Sequence, residues 1–537
     1  ACNALDESAV KRLRERKSRP FKPFAVMVED IQTARAYASI SPKEESLLLS
    51  HQAPILLLKK KQPFKMAPSV APNNKNIGIF LPYTPLHHIL IRKTQLPLIM
   101  TSGNLSDNPI CATNEEARQD LGSIADAFLF HNRDIVARCD DSVLMVVDEE
   151  PRMIRRSRGY VPLPLPIPIN GEDVLACGGD LKNTFCLSKD KWAFLSQHIG
   201  DLESVKGYRI YQNAIRHLSK LLNIKPKIIA YDLHPSYHSS IYAHSLNLPK
   251  IGVQHHHAHI ASCMAENGIS PEERVIGVAW DGTGYGTDGR IWGGEIMLAT
   301  YKGFQRVAHL LYVPLPGGEM AVKEPWRMAI SYLILAGEEE FLANFRKLPE
   351  EFAEFLSQVG ERKVEAIRQM VKKGINSPPA SSMGRLFDAV SSLLGICQHN
   401  TYEGQSACEL EAISEDCEDF YEFELEGDNP IIINPMPIIK GILEDLRNGQ
   451  SKEYIASRFH RSLAEMLVRI CHIIRQRYGI EKVALSGGVF QNALLLSESL
   501  KRLREEGFIP LAHSKVPTND GGIALGQATI ARALMEG

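Results

Sequence analysis

No two cysteines in this sequence have the Cys-x-x-Cys spacing; all ten are dispersed along 537 residues. That argues against a zinc ribbon and against a secreted disulfide framework, and makes a reducing cytoplasm the expected setting. No apolar run reaches the roughly 18 residues needed to span a bilayer, so no membrane association is expected. The opening Ala1-Cys2-Asn3 carries neither an initiator Met nor a secretory pattern, which leads us to expect a processed or truncated chain. The phosphate-binding pattern Gly-x-x-x-x-Gly-Lys-Ser/Thr is missing, as are short-period repeats and low-complexity segments. A large charge of one sign is missing too: the formal net charge is -2. Duplex nucleic acid is therefore not an expected partner.

The charge that is present is unevenly placed. Residues 1–160 hold 23 Lys and Arg against 18 Asp and Glu, and the remainder 38 against 45. A mildly basic front segment suits a small anion such as a nucleotide, although a scattered solvated surface would read the same way. The length calls for two to four domains. Proline at every second position in Val161-Pro162-Leu163-Pro164-Leu165-Pro166-Ile167-Pro168-Ile169 gives an extended connector that can be neither helix nor central strand. The expected organisation is a first domain over 1–161, a linker over 162–170 and a larger domain over 171–537.

Before the linker, Ser8 to Lys17 has helical spacing, with Asp6 or Ser8 as N-cap, and Asn114 to Leu121 reads as a helix capped by Asn114. Residues 24–28 and 55–58 read as short strands. After the linker, residues 174–177 and 184–187 form a hairpin pattern, and 228–231, 275–280 and 483–485 are further strands. The last two run into Gly-rich turns. Ser457 to Tyr478 places Phe459, Leu463, Leu467, Ile470 and Ile474 on one helical stripe that Gly479 ends. Strand, glycine turn and helix in repetition predict α/β architecture with phosphate-sized gaps at strand ends.

The most specific chemical feature is Gln254-His255-His256-His257-Ala258-His259 ahead of an apolar helical pattern. His255 and His259, four residues apart, share a helix face and can hold one metal ion. A zincin needs Glu directly after the first His; His256 stands there, so the hydrolase reading loses its base. Asp281, in Asp281-Gly282-Thr283-Gly284-Tyr285-Gly286, and Asp520, in Asn519-Asp520-Gly521-Gly522, are expected at strand-to-turn positions where a carboxylate reaches a ligand. They would complete a set of two His and two Asp that suits Fe(II), Zn or Mn. A lone Asp-Gly is also usually only a turn. The turns at Gly178-Gly179, Gly282-Thr283-Gly284 and Ser486-Gly487-Gly488 could each offer backbone N–H groups to phosphate. In the first domain the run from Lys11 to Lys22 and the cluster Arg152 to Arg158 are cationic. A shared cavity between them would neutralise a triphosphate or a carboxylate, with donors from Thr101-Ser102-Gly103-Asn104-Leu105-Ser106.

These segments resemble two known families. Lys17, Arg19, Lys22, the Thr101–Ser106 loop, His131 to Val136, Asp140 to Val143 and Arg155 to Gly159 are similar to the YrdC/Sua5 family, which binds ATP in a basic cavity and builds an acyl-adenylate. Beyond the linker, Gln254–His259, Asp281–Gly286, Trp292–Glu295, Pro316–Glu319, Gly384–Asp388, Tyr402–Gln405, Ser486–Asn492 and Asn519–Gly522 are similar to the carbamoyltransferase relatives of the TsaD family. Together they resemble the HypF family of hydrogenase-maturation carbamoyltransferases. The implied fold class is α/β and α+β multidomain: a YrdC-like α/β domain followed by a duplicated α/β domain of the actin and sugar-kinase (ASKHA) type.

The resemblance implies that Lys17, Arg19 and Arg156 help carbamate and ATP meet, while Lys22, Thr101, Asn104 and Ser106 hold the nucleotide. In the second domain it implies nucleotide contacts from Gly282, Thr283, Gly284, Gly487, Gly488, Asn492 and Asp388, and a metal, Fe or Zn foremost, on His255, His259, Asp281 and Asp520. His255 and His259 would also serve the transfer chemistry. The implied cofactors are ATP, with Mg accompanying it, and that one divalent ion. The implied partners are carbamoyl phosphate or carbamate and the C-terminal Cys of HypE. HypF proteins usually begin with an acylphosphatase-like domain and a Cys-rich segment, so a C-terminal fragment is expected. Three other readings compete: a small-molecule O-carbamoyltransferase, in which the two modules stand in the opposite order; a nucleotide-binding assembly scaffold; and tRNA threonylcarbamoylation.

Overall fold

In this computed structural model, residues 1–105, 108–338 and 350–535 are described; Ser106 lies outside the described residues. Short apolar runs separated by Gly, Pro and polar clusters become the strands of three sheets. The first sheet has the order Cys2–Asn3, Leu98–Ile99, Ala25–Met27, Asn76–Phe80, Ile55–Lys59, Val143–Val147, Glu150–Arg155. Val26, Leu56, Ile79 and Leu144 pack beneath it around a core completed by Val10 of the helix Glu7–Lys17. Asp6 caps that helix, accepting from Ser8 and Ala9 N–H, as its sequence position allows. The helix Asn114–Leu121 starts where expected, but its cap is Thr113, whose hydroxyl accepts from Glu116 N–H. A β-branched hydroxyl one residue earlier takes the orphan donor, and Asn114 turns its side chain to His131 O.

The second and third sheets repeat one strand pattern. In the second, Val174–Ala176, Cys186–Lys189 and Trp192–Leu195 form an antiparallel meander, and Ile228–Asp232 then Lys250–Val253 add in parallel beside its first strand. In the third, Val275–Tyr285, Ile291–Ala299 and Phe304–Leu310 form the meander, and Lys482–Ser486 then Ile509–Leu511 add in parallel. This is the duplicated α/β topology expected from the resemblance. The proline-alternating linker contributes one two-residue strand, Leu165–Pro166, at the outer edge of the second sheet. An edge is where a residue without N–H can join a ladder.

The chain divides into two units: residues 1–253 with 513–537, and residues 254–512. The C-terminal segment rejoins the first unit through the helix Ile523–Met535, buried over nearly its whole length. Arg532, fully buried, anchors it: Nε donates to Ser188 Oγ at 3.0 Å, and Nη1 to the carbonyls of Ile169 and Asp190. In the second unit the helix Lys452–Tyr478 buries the expected stripe, starts at the Ser451 cap and ends at Gly479 in the left-handed region. Among the described residues no helix is long and apolar enough to cross a membrane.

Candidate active site

The histidine segment forms the helix His255–Glu266, with every residue from 255 to 265 buried. A helix that is apolar or hydrogen-bonded on all sides belongs in a core, and Gln254 fixes its start by accepting from His257 N–H. The i,i+4 spacing does what the sequence promised. His255 Nε2 and His259 Nε2 lie 3.4 and 3.2 Å from the same oxygen, Oδ2 of Asp281. Asp281 does not end its strand, as the glycines after it suggested. Val275–Tyr285 continues through them with an irregularity between Trp280 and Gly284, because a bulge absorbs the close approach that a turn was expected to provide.

The surroundings fix these three side chains. Asp281 Oδ1 accepts from Gly282 N–H at 2.8 Å and Gly488 N–H at 3.1 Å, and Ser486 Oγ sits 3.4 Å from His259 Nδ1. Burial pushes the Asp281 carboxyl up, but the two imidazoles outweigh it and hold it well below the usual carboxylate range. Three buried ligand groups with their donor atoms close together, Asp281 and His259 oriented from behind, are the arrangement a divalent cation requires; the residues fit such an ion. Gly284 lets the strand pass: a Cβ there would stand 2.5 Å from His256 Cε1 and 2.8 Å from His255 Cδ2. His257 points away, its Nε2 against Thr300 O at 2.7 Å. Asp520 is in the other unit, half-buried on the turn Asp520–Gly522 beside Gly179.

Gly487 and Gly488 follow the strand Lys482–Ser486 and begin the turn Gly488–Gln491; Gly282 and Thr283 are half-buried within the long strand. Two residues expected at the nucleotide have engaged side chains. Asn492 caps the helix Ala493–Glu505 through Leu495 N–H and meets His460 Nε2 at 2.8 Å. Asp388 is buried 2.7 Å from Arg385 Nε, with Asn400 Nδ2 at 3.3 Å, and burial raises its carboxyl. Glu295 received no role in the sequence reading. It is fully buried, accepting from Ser381 Oγ, Gly293 N–H, Gly294 N–H and Arg306 Nε. An acid inside an otherwise apolar strand was the signal for it.

In the first unit Lys17 is buried at the end of its helix and ties down the expected loop, donating to Ser102 O at 2.9 Å and Asn104 O at 2.5 Å. Thr101 is half-buried in the same loop. Arg19 binds the carbonyls of Lys22 and Pro23, and Lys22 is exposed. Arg156 is not brought to this group by its described contacts; Nη2 donates to Leu163 O in the linker. Arg155 ends the strand Glu150–Arg155, and its charge, with that of Lys22, opposes the upward push of burial on the Asp140 carboxyl.

Burial, and then the charge of Arg19, brings the Lys17 ammonium down to about 8. Its charge is therefore lost as pH rises through 8 rather than 10.5. The kcat/KM for pyrophosphate release should fall above pH 8, and in Lys17→Arg this alkaline limb should move beyond pH 10, since guanidinium stays charged. An unmoved limb would remove Lys17 from nucleotide handling.

The model described as Carbamoyltransferase, Kae1-like Domain, second subdomain, matches residues 277–527; the HypF Kae1-like domain matches 170–266; and the model described as Telomere recombination matches 1–157. The Carbamoyltransferase HypF of Synechocystis sp. is 41% identical over 536 residues, covering 98% of this chain and 69% of its own length. The chain belongs to the HypF carbamoyltransferase family. The HypF of Rhodobacter capsulatus is 39% identical over 547 residues, covering 100% and 70%. A crystal structure of full-length HypF, described as the phosphate- and nucleotide-bound form, superposes with a TM-score of 0.94 at 46% identity, covering all of this chain and 69% of that one. This family membership makes the chain a transferase of carbamoyl groups with the expected fold class.

Proposed function

We propose that this HypF-family chain forms carbamoyl-adenylate and passes its carbamoyl group to the C-terminal Cys thiol of HypE, for the cyanide ligand of NiFe hydrogenase, in the cytoplasm. Carbamate is a poor electrophile, because nitrogen and the charged oxygen both feed its carbonyl. In the first step a carbamate oxygen attacks the α-phosphorus of ATP, the bond to the β-phosphate oxygen breaks, and pyrophosphate leaves. Lys17, Arg19, Lys22 and Arg156 offset the repulsion between the two anions, while Thr101, Asn104 and Ser106 hold the nucleotide. In the second step the HypE thiolate attacks the carbamoyl carbon and the bond to AMP breaks.

For that transfer the backbone N–H groups of Thr283, Gly284 and Gly487 bind the phosphate part, joined by those of Gly282 and Gly488 as they exchange Asp281 Oδ1 for it. Asn492 and Asp388 contact the nucleoside after exchanging their present partners. His255, His259 and Asp281, with Asp520 as fourth ligand, hold a divalent ion, Fe or Zn. Such an ion, when bound, supplies Lewis acidity beside the phosphate and carbamoyl oxygens.

The observation that carries the reading is the convergence of His255 and His259 on one oxygen of Asp281, whose other oxygen accepts from Gly488 N–H in the glycine turn after Lys482–Ser486. The test incubates the chain with ATP, carbamoyl phosphate or ammonium carbamate, and HypE. A mass gain of one carbamoyl group on the HypE C-terminus is expected. Its absence with ammonium carbamate, where no earlier hydrolysis is needed, would sink the reading; transfer to an alcohol instead would point to small-molecule O-carbamoylation.

A further inference from the structure

The glycine turn of the second sheet ends on a carboxylate–imidazole pair that neither proposed step uses. Asp180 follows Gly178 and Gly179 after the strand Val174–Ala176, and its side chain is buried. Oδ2 accepts from His238 N–H at 2.7 Å and lies 2.9 Å from His238 Nδ1, while Oδ1 accepts from Ser239 N–H at 2.9 Å. These bonds open the helix His238–Ser245, whose own cap residue, Tyr237, makes no side-chain cap bond. The loop that carries Asp180 is fixed in turn. Leu202 N–H donates to Asp180 O, and Asn183 Nδ2 donates to the carbonyls of Cys177 and Gly179. Thr184 Oγ1 donates to Gly521 O at 2.9 Å, which ties the loop to the turn Asp520–Gly522.

Capping accounts for the two backbone bonds and leaves the ring unexplained. A carboxylate only accepts, so Nδ1 carries its hydrogen toward Asp180, and the lone pair of the neutral ring is on Nε2. Nε2 has no hydrogen-bond partner among the described residues, and the side chain is 40% exposed. Among the described residues no lysine or arginine pairs with Asp180, so its buried negative charge is available to an imidazolium formed in front of it. A general base for a sulfur or oxygen nucleophile needs these parts in this order: an accessible acceptor nitrogen, one fixed tautomer, and a carboxylate behind. The pair is also near the proposed chemistry. A Cβ on Gly179 would stand 3.4 Å from Asp520 Oδ2 and 4.0 Å from Tyr237 Cε2. Gly179, one residue before Asp180, thus adjoins both the carboxylate assigned to the metal and the residue before His238.

We infer that His238 is the general base of the transfer step: Nε2 takes the proton of the acceptor thiol, and Asp180 is the positioning residue that holds the ring and balances its charge. This rests on the proposed function and adds to it the group that makes the acceptor a nucleophile. An unperturbed cysteine is mostly thiol at neutral pH, and the thiolate is the form that attacks. The S–H bond breaks, its electron pair attacks the carbamoyl carbon, and the proton goes to Nε2. The bond from that carbon to the phosphate oxygen then breaks, and AMP leaves with the electron pair. AMP departs as a phosphate anion and needs no proton, so the imidazolium returns its proton to solvent.

The test compares two acceptors on the full chain with ATP and ammonium carbamate: HypE with its C-terminal Cys, and HypE carrying selenocysteine there. A selenol is ionised at neutral pH and needs no base. The initial rate of carbamoyl gain is read by mass spectrometry, with pyrophosphate release as the reference for adenylate formation. In His238→Leu the rate to the thiol should fall about a hundredfold or more, and the rate to the selenol less than fivefold. Asp180→Asn keeps an oxygen to cap the helix; its thiol rate should fall tenfold or more, and its selenol rate again less than fivefold. A thiol rate within tenfold of the parent's in His238→Leu overturns the inference. So does a selenol rate that falls as far as the thiol rate in either variant, since the pair would then only shape the site. A parent protein that carbamoylates neither acceptor marks failure of the proposed function instead.

Discussion

His259→Ala should lower carbamoyl transfer to HypE by about a thousandfold or more, equivalent to about 4 kcal/mol of barrier, and strip bound divalent metal below one-fifth of the parent's content. The imidazole is buried, with Nε2 3.2 Å from Asp281 Oδ2 and Nδ1 facing Ser486 Oγ. Ala258 and Ile260 on either side of it are fully buried and carry no side-chain ligand atom. Without it Asp281 keeps one imidazole partner, and the burial that opposes its charge is less well offset. Ser486→Ala, which removes only the hydroxyl behind the ring, should cost about ten- to a hundredfold in metal affinity. Mass spectrometry of the HypE C-terminus and elemental analysis of the purified chain check both. Pyrophosphate release serves as the internal reference for a folded first module, and His259→Gln controls for cavity effects. Full transfer by His259→Ala would end the metal assignment.

The parts of this site that were legible in the sequence are those set by local periodicity. His255 and His259 are brought together by helical spacing alone, which needs no knowledge of the rest of the chain. The strands flanking the glycine segments were legible for the same reason, since period-two apolar runs between glycines have few alternative structures. What failed was anything decided by partners distant in sequence. The glycines after Asp281 looked like a turn, yet the long ladder with Ile291–Ala299 carries the strand through them. Asn114 looked like a cap until Thr113 proved to hold the donor. Arg155 and Arg156 could not be told apart by composition; the strand Glu150–Arg155 ends between them, and Arg156 donates to Leu163 O of the linker. Asn492 shows the reverse limit: a motif residue whose side chain is engaged by a helix cap and His460.

Gly487→Ala should be the most damaging single methyl group in the second unit. Gly487 has φ 101°, a region where an L residue costs roughly 1–2 kcal/mol. The added Cβ would also stand 2.1 Å from the carbonyl oxygen of Trp280. That atom is backbone, in the strand Val275–Tyr285 and one residue before Asp281, so relief requires the ladder between this strand and Lys482–Ser486 to part. Overpacking against atoms that cannot rotate away costs about 1–3 kcal/mol or more, and with the backbone term the sum is about 2–5 kcal/mol, a large share of the margin of an ordinary domain. The stacked pair Trp280 and Phe490, 5.5 Å apart on either side of the glycine, should lose its fixed geometry. We expect a thermal midpoint lowered by several degrees, a weakened near-ultraviolet tryptophan signal, and loss of the Gly488 N–H contact to Asp281 expressed as weaker metal retention. By contrast, Gly303→Ala, where a Cβ meets nothing within 4 Å, should leave all three unchanged. A Gly487→Ala chain that melts within about 2 °C of the parent would mean the strand and the turn can separate cheaply, and the carboxylate of Asp281 would then lack the rigid backing on which its ligand role depends.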